Sequence, residues 1–435
     1  MAIRKDQTEM ENQEMNSEEK VTLEPQKRSG FVKGLLTGIL ATAAVGMVAL
    51  VIIVSVGGNT LQIGTKADSK DNGSILTADV QKKLNELMGY INLYFYDDID
   101  KDKLAQGMYA GLLEGLDDKY TEYYTPEEFE NLQISATQNY CGIGAVLSQD
   151  KDSMQVTATH IYEGSPAEDA GLKDGDVIAY VDEIEASSIE LTELVTHIRG
   201  EEGTTVHLKV YREGESDYVE MDVKRENIDL PTIEHKMLEG NIGYIHIVDF
   251  GAPTVEQFEA AVDDLNAQGM KAMILDVRDN PGGMITAVTG ILDDILPEGT
   301  VVYTQDKYGK RQDYTSDDEK QMDLPIAVLV NGNSASASEI LAGAIRDFEY
   351  GTLIGTTTYG KGVVQTIITL EDGDAIKLTT AKYFTPNGEN IHGTGIDPDI
   401  ELEYEYTGDA DETYDEMHDN QIEKAIEVLN KEITE

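Results

Sequence analysis

From Gly34 to Thr65 the chain carries no charged side chain. The apolar stretch that overlaps this run, roughly Phe31 to Val56, exceeds the ~20 residues that cross a bilayer's hydrocarbon. A cleaved signal peptide would be shorter and nearer the terminus. A polar stretch of residues 1–30 comes first here, so an uncleaved anchor is the better reading. Lys27, Arg28 and Lys33 crowd the N-terminal flank, and Lys66 is the nearest basic residue beyond. The positive-inside rule then puts 1–30 in the cytoplasm as a tail, 31–56 across the cell membrane as a single transmembrane helix, and the rest outside.

The chain has 33 basic and 83 acidic residues, a formal net charge of −50. That balance excludes nucleic-acid binding, which needs a basic footprint. One cysteine, Cys141, makes neither an internal disulfide nor a zinc cage. Asp98, Asp100 and Asp102 alternate like a calcium loop. However, Lys103 stands where the loop's glycine belongs and Tyr109 where its terminal glutamate belongs.

Residues 57–73 read as a linker. A helical region, 74–133, carries apolar residues at 3-4 spacing: Val80, Leu84, Leu87, Met88, Ile91, then Leu104, Met108, Leu112, Leu113. Residues 134–226 turn to strands, with helices at Ser165-Pro166 and over 189–198. Residues 227–403 alternate strand and helix like an α/β core, with strands at 242–247, 272–277 and 326–330 and helices at 255–265, 285–296 and 337–348. The last part, 404–435, is acidic and ends in an amphipathic helix with Ile422, Ala425, Ile426, Leu429 and Ile433 on one face.

In the β region, Gly142-Ile143-Gly144 permits a nest of backbone N–H groups beside a strand edge, which suits an anion and an extended peptide. It equally suits an ordinary glycine turn. The stretches Glu163-Gly-Ser-Pro-Ala167 and Ala170-Gly-Leu-Lys-Asp-Gly-Asp-Val-Ile178, with the helix to Arg199, resemble bacterial PDZ domains. The resemblance implies capture of a substrate's C-terminal carboxylate at Gly142, Ile143 and Gly144. Cys141 reads as filler, and Arg199 as a weak candidate for coupling this module to a catalytic site.

In Val328-Leu-Val-Asn-Gly-Asn-Ser-Ala-Ser-Ala-Ser-Glu-Ile340 an apolar strand runs through small residues into an amphipathic helix. Serines there either cap the helix or stand beside free N–H groups suited to an oxyanion. The seven histidines, at 160, 197, 207, 235, 246, 392 and 418, make no triad signature. The alternative base is a desolvated lysine, and Lys361 lies between Gly360 and Gly362.

Ser334-Ala-Ser-Ala-Ser-Glu-Ile340 with Thr358-x-Gly-Lys-Gly-x-Val-x-Gln365 resembles the signature of the carboxyl-terminal processing (tail-specific) proteases. So do Asp276-Val-Arg-Asp-Asn-Pro-Gly-Gly283, Thr385-Pro-Asn-Gly388 running on to Gly395-Ile-Asp-Pro-Asp399, and Leu116-Asp-Asp-Lys-Tyr120 with Tyr124-Thr-Pro126. That resemblance implies a multidomain fold: one transmembrane helix, a helical N-terminal region, a PDZ-like β/α domain and an α/β (crotonase/ClpP-like) protease core. It implies a serine endopeptidase with Ser336 as nucleophile, Lys361 as base and Gln365 orienting the lysine. The Gly282 and Ala337 N–H groups would form the oxyanion hole; Glu339 and Asp347 match polar family positions around the catalytic helix, and Thr358 would help hold Lys361. Neither metal nor cofactor is implied. The expected partners are polypeptides with apolar C-terminal tails; the helical region and the C-terminal helix are candidate homodimer elements. A catalytically silent PDZ scaffold is the alternative, against which the intact Ser336, Lys361 and Gln365 weigh.

Overall fold

A computed structural model of the chain describes residues 75–151, 153–317, 319–408 and 416–434. The expected tail, membrane span and linker lie outside these residues. Two compact units divide at Asp100/Lys101. Of the first, residues 75–100 are described, carrying helix α1 (Ala78–Tyr94), which Thr77 caps by accepting the Val80 N–H.

The second unit begins with α2 (Lys101–Glu114), β1 (Glu122–Tyr124) and α3 (Pro126–Thr137). Thr125 and Glu128 start α3 as a reciprocal capping box, with Pro126 in the first turn. β1 departs from the all-helical expectation for this region. It pairs antiparallel with a distant strand, Glu122 opposite Lys377, a partner that local periodicity does not reveal.

Next come β2 (Asn139–Gly142), β3 (Ala145–Gln149), β4 (Val156–Ile161), α4 (Pro166–Asp169), β5 (Val177–Val181), β6 (Ile184–Glu185), α5 (Leu191–Ile198), β7 (Thr205–Tyr211), β8 (Val219–Lys224) and β9 (Glu226–Asp229). β3-β4-β5-β7-β8 form an antiparallel sheet with β3 at its edge. β7 buries Val206, Leu208 and Val210 at every second position against Leu194 of α5. β2 pairs with β9, so the chain enters and leaves this module through one two-stranded stem.

The core holds β10 (Ile233–Leu238), β11 (Ile242–Ile247), α6 (Thr254–Ala267), β12 (Ala272–Asp276), α7 (Ile285–Ile295), β13 (Gly299–Asp306), β14 (Arg311–Ser316), β15 (Ile326–Val330), α8 (Ala337–Asp347), β16 (Thr352–Gly355), β17 (Val363–Thr369), β18 (Ala375–Phe384), β19 (Ile400–Glu401) and α9 (Asn420–Thr434). One sheet runs β10-β11-β12-β15-β16-β19, parallel except for β10. β12 and β15 are apolar at nearly every position because both faces are covered. Met273, Leu275, Val328 and Val330 join the cluster that α6, α7 and α8 cover; Ile274, Ala327 and Leu329 join Ile422, Ala425 and Leu429 of α9. A second sheet, β1-β18-β13-β14 with β17 on β18, goes beyond the sequence expectation; polar, half-exposed positions in β14, β17 and β18 obscure its alternation.

The outer helix α9 is pinned by a buried ion cluster. Arg278 spans Asp276 (Nε to Oδ1, 2.9 Å) and Asp419 (Nη1 to Oδ2, 2.8 Å), while Asp419 caps α9 by accepting the Gln421 N–H at 2.9 Å. Asp276 is 2 % exposed and Asp419 fully buried, so removing the guanidinium leaves two buried carboxylates without their counter-charge. Arg278→Met is therefore expected to cost about 3–5 kcal/mol. Urea unfolding checks this, and a loss under about 1 kcal/mol would show the cluster to be energetically idle.

Candidate active site

The site lies at the carboxyl ends of β12, β15 and β16, where parallel α/β sheets place their ligands. The β15 loop carries three candidate serines, and their surroundings differ. Ser334 and Ser338 are fully buried. Their hydroxyls donate to backbone carbonyls, Ser334 to Val277 at 2.7 Å and Ser338 to Asn280 at 2.9 Å. Ser336, immediately before α8, is only partly buried. Its backbone is at φ 55°, ψ −110°, a sparsely populated conformation that costs roughly 1–3 kcal/mol and persists only where neighbours enforce it.

The main enforcer is Glu339, fully buried in the first turn of α8. Its Oε2 accepts the N–H of Ser336 (2.9 Å) and of Lys361 (2.8 Å). Its Oε1 accepts the Thr358 hydroxyl (2.6 Å) and the Gly360 N–H (2.7 Å). One carboxylate thus joins the backbones of Ser336 and Lys361. The Thr358 hydroxyl in turn accepts the Ile396 N–H at 2.8 Å, tying the lysine loop to the one that contains Ile396. The two loops pack so closely that a Cβ on Gly362 would meet the His392 nitrogen at 2.6 Å.

Lys361 is half-buried. Burial pushes its pKa below the ordinary lysine value, and repulsion from Lys377 adds to the effect. Its Nζ lies 5.1 Å from the centroid of the Tyr120 ring. Tyr120 ends the Leu116–Tyr120 motif, but a sequence does not tell that this loop folds over the lysine. Gln365 does not sit as expected. Its amide donates to Thr379 Oγ1 across the β17–β18 ladder at 3.3 Å, and no hydrogen bond joins it to Lys361 among the described residues. A β-bulge at Val364/Gln365 resets the register there.

Gly282 packs against the serine: a Cβ on it would lie 2.7 Å from the Ser336 Cβ and 3.0 Å from the Ala337 nitrogen. Ala337 is the first residue of α8, where an N–H has no intrahelical acceptor. The Gly282 N–H is already engaged, donating to Asn280 Oδ1 at 2.8 Å. Asn280 is 1 % exposed; its Nδ2 donates to Ile247 O at 2.7 Å and its carbonyl accepts the Ala335 N–H at 3.1 Å. It is a functional candidate that sequence reasoning missed, although it stands inside the Asp276–Gly283 motif.

Asp347 is elsewhere, at the far end of the eleven-residue α8 and so about 16 Å along the axis. There it accepts from Arg346 and from the Asn387 N–H at 2.9 Å, which is a structural role. In the β3–α5 module, Ile143 is 2 % exposed and its carbonyl accepts the Ala167 N–H at 2.8 Å. Gly144 takes φ +77° where a Cβ would strike Ser165 Cβ at 2.4 Å, and Gly142 is buried beside Tyr140. The Arg199 guanidinium lies 5.3 Å from the Tyr140 ring centroid, and its Nη1 donates to Asn131 at 3.4 Å. Cys141 is a free thiol in the stem whose pKa burial raises, so it is not activated.

A model of peptidase family S41 matches residues 241–402, and a PDZ-domain model matches residues 141–223. The carboxy-terminal processing protease CtpA of Bacillus subtilis is 34% identical over 386 residues, 87% of this chain and 79% of that protein. A CtpA-like serine protease of Staphylococcus aureus is 34% identical over 400 residues, 91% and 76% of the two chains. A solved photosystem II D1 C-terminal processing protease is 28% identical over 74% of this chain and 86% of that one, with a TM-score of 0.43.

Glu339→Gln tests the clamp. An amide presents one NH₂ to a pair of donors, so either Ser336 and Lys361 or Thr358 and Gly360 lose their acceptor. Turnover of an unstructured peptide is expected to fall roughly a hundredfold from misplacement alone, with the far-UV circular dichroism unchanged. Undiminished turnover would show that other contacts hold the loops.

Proposed function

Because this chain belongs to the carboxyl-terminal processing serine proteases of peptidase family S41, with a PDZ domain, we propose that it cleaves polypeptides through a Ser336–Lys361 dyad. The observation that carries this reading is the single buried carboxylate of Glu339, which holds both residues' backbones. Neutral Lys361 takes the Ser336 hydroxyl proton as Oγ attacks the peptide carbonyl. The oxyanion rests on the Ala337 N–H, and on that of Gly282 once it shares or releases Asn280. The C–N bond then breaks, Lys361 returns the proton to the leaving amine, and water hydrolyses the acyl-enzyme with Lys361 again as base.

The PDZ domain receives the substrate's C-terminal tail as an added strand on the open edge of β3, with the carboxylate at the Gly142–Gly144 turn. Gln149 at the end of β3 supports a preformed groove: its side chain donates to the Ile189 carbonyl and accepts the Leu191 N–H, both at 2.9 Å, fixing the start of α5 beside the strand. The apolar stretch at 31–56, uncharged from Gly34 onward, supports an anchored enzyme whose catalytic part lies outside the cell membrane.

Ser336→Ala and Lys361→Ala should each abolish cleavage of an unstructured peptide without loss of fold; wild-type turnover in either would overturn the dyad. The pH profile is a separate test. Lys361 acts only when neutral, so kcat/KM should rise with pH, the midpoint lying below the ordinary lysine range because burial disfavours the ammonium. Removing the neighbouring charge with Lys377→Met should move that midpoint upward. A midpoint unmoved, or moved downward, would mean that another group limits the rate.

A further inference from the structure

A cleft of about 450 Å³ opens beside the candidate base, lined by Tyr120, Asp279, Pro281, Asn333, Ala335, Tyr359 and Lys361. Asp279, on the Asp276–Gly283 loop three residues before Gly282, is the one acidic side chain among them and has no part in the dyad or the oxyanion hole.

Its placement is built rather than incidental. Asp279 is a non-glycine residue at φ 59°, a conformation that must be held by its neighbours. Its N–H donates to Asn331 Oδ1 at 3.1 Å. Its Oδ1 accepts the side-chain amides of Asn331 at 3.0 Å and Asn333 at 2.7 Å. These donors favour the charged form, and the Asn333 bond is the largest cause holding the carboxyl below the usual carboxylate range. Oδ2 accepts no hydrogen bond among the described residues, and the side chain is exposed.

Two nearby cations are engaged elsewhere. Arg278 is taken by Asp276 and Asp419. Lys119 donates to the Tyr359 hydroxyl at 2.8 Å. The aromatic walls already hold ammonium groups: Lys119 Nζ lies 4.9 Å from the ring centroids of both Tyr120 and Tyr359. A carboxylate with one free oxygen beside two tyrosine rings is the chemistry that receives a long basic side chain, its stem on the rings and its charge on the acid. The chain's net charge of −50 favours the approach of such a segment.

We propose that Asp279 and the walls of Tyr120 and Tyr359 form a subsite for a lysine or arginine side chain of the substrate, close to the scissile bond. This rests on the dyad reading of the cleft and adds a substrate class to it: apolar tails captured by the PDZ domain, cut near a basic residue.

The test uses the full chain in detergent and a set of quenched-fluorescence peptides with one apolar C-terminus. Within the set, a single lysine, norleucine or glutamate is moved through the positions around the cleavage site. At one position the wild type should favour lysine over norleucine by roughly fivefold in kcat/KM, as befits a partly exposed pair, and disfavour glutamate. In Asp279→Asn, which keeps an acceptor for Asn331 and Asn333 and tolerates the backbone angle, the ratio should fall to about one. In Asp279→Lys it should invert towards glutamate. A lysine-to-norleucine ratio that is the same in wild type and Asp279→Asn, or that never exceeds one, overturns the subsite alone. Absence of any Ser336-dependent cleavage would overturn the dyad reading and the subsite with it.

Discussion

Four donors converging on the buried carboxylate of Glu339 are the interaction on which the site depends. Ser336 and Lys361 are 25 positions apart and come after different strands. Each loop is rich in small residues and would have many conformations alone. A carboxylate in a dry interior is costly unless its lone pairs are filled. Here they are filled by bringing both loops to one point, so the penalty for misassembly enforces the geometry. The same contact makes the unusual backbone of Ser336 tolerable, since its N–H is held from the first turn of α8.

The rest of the core serves to present those loops. Parallel strands β12, β15 and β16 end side by side, and their carboxyl ends lead into the Asp276–Gly283 loop, the serine loop and the lysine loop respectively. Asn280 ties the first to the second through the Ala335 N–H and the Ser338 hydroxyl. Glu339 ties the second to the third. The antiparallel sheet adds Lys377, which pushes on Lys361, and Tyr383, whose hydroxyl donates to the Ser336 carbonyl at 3.3 Å. Two sheets with different jobs thus meet at one residue pair.

The electrostatics of the site run against those of the whole molecule. A chain with so many carboxylates would ordinarily favour a protonated lysine. Lys361 loses that support because desolvation outweighs the attraction of Glu339, whose charge is already shared among four hydrogen bonds, and because Lys377 is near. Asp279 shows the opposite treatment: exposed and solvated by two asparagine amides, it keeps its charge at the cleft's edge. Burial decides one group and hydrogen bonding the other.

Much of this was legible in the residues. The strands at 177–181, 205–211, 242–247 and 326–330 and the helices around 254–267, 285–295 and 337–347 carry periodicities that local physics reads directly. The motifs around Ser336 and Lys361 carry the family. Alternation fails for β17 and β18, whose faces are both partly polar, and for β1, whose partner strand is far away in the chain. Gln365 departs from expectation because register across a bulge is not written locally, and Asp347 because a helix separates it from the serine. Sequence by itself determined the elements of the parallel core and of the PDZ domain, and the family, since these rest on spacing along the chain. Only the tertiary structure decided which serine stays accessible, what carboxylate joins it to the lysine, that Asn280 holds the Gly282 amide and that Tyr120 covers the base. Those are contacts between distant segments, made by burial, and burial is a property of the folded whole.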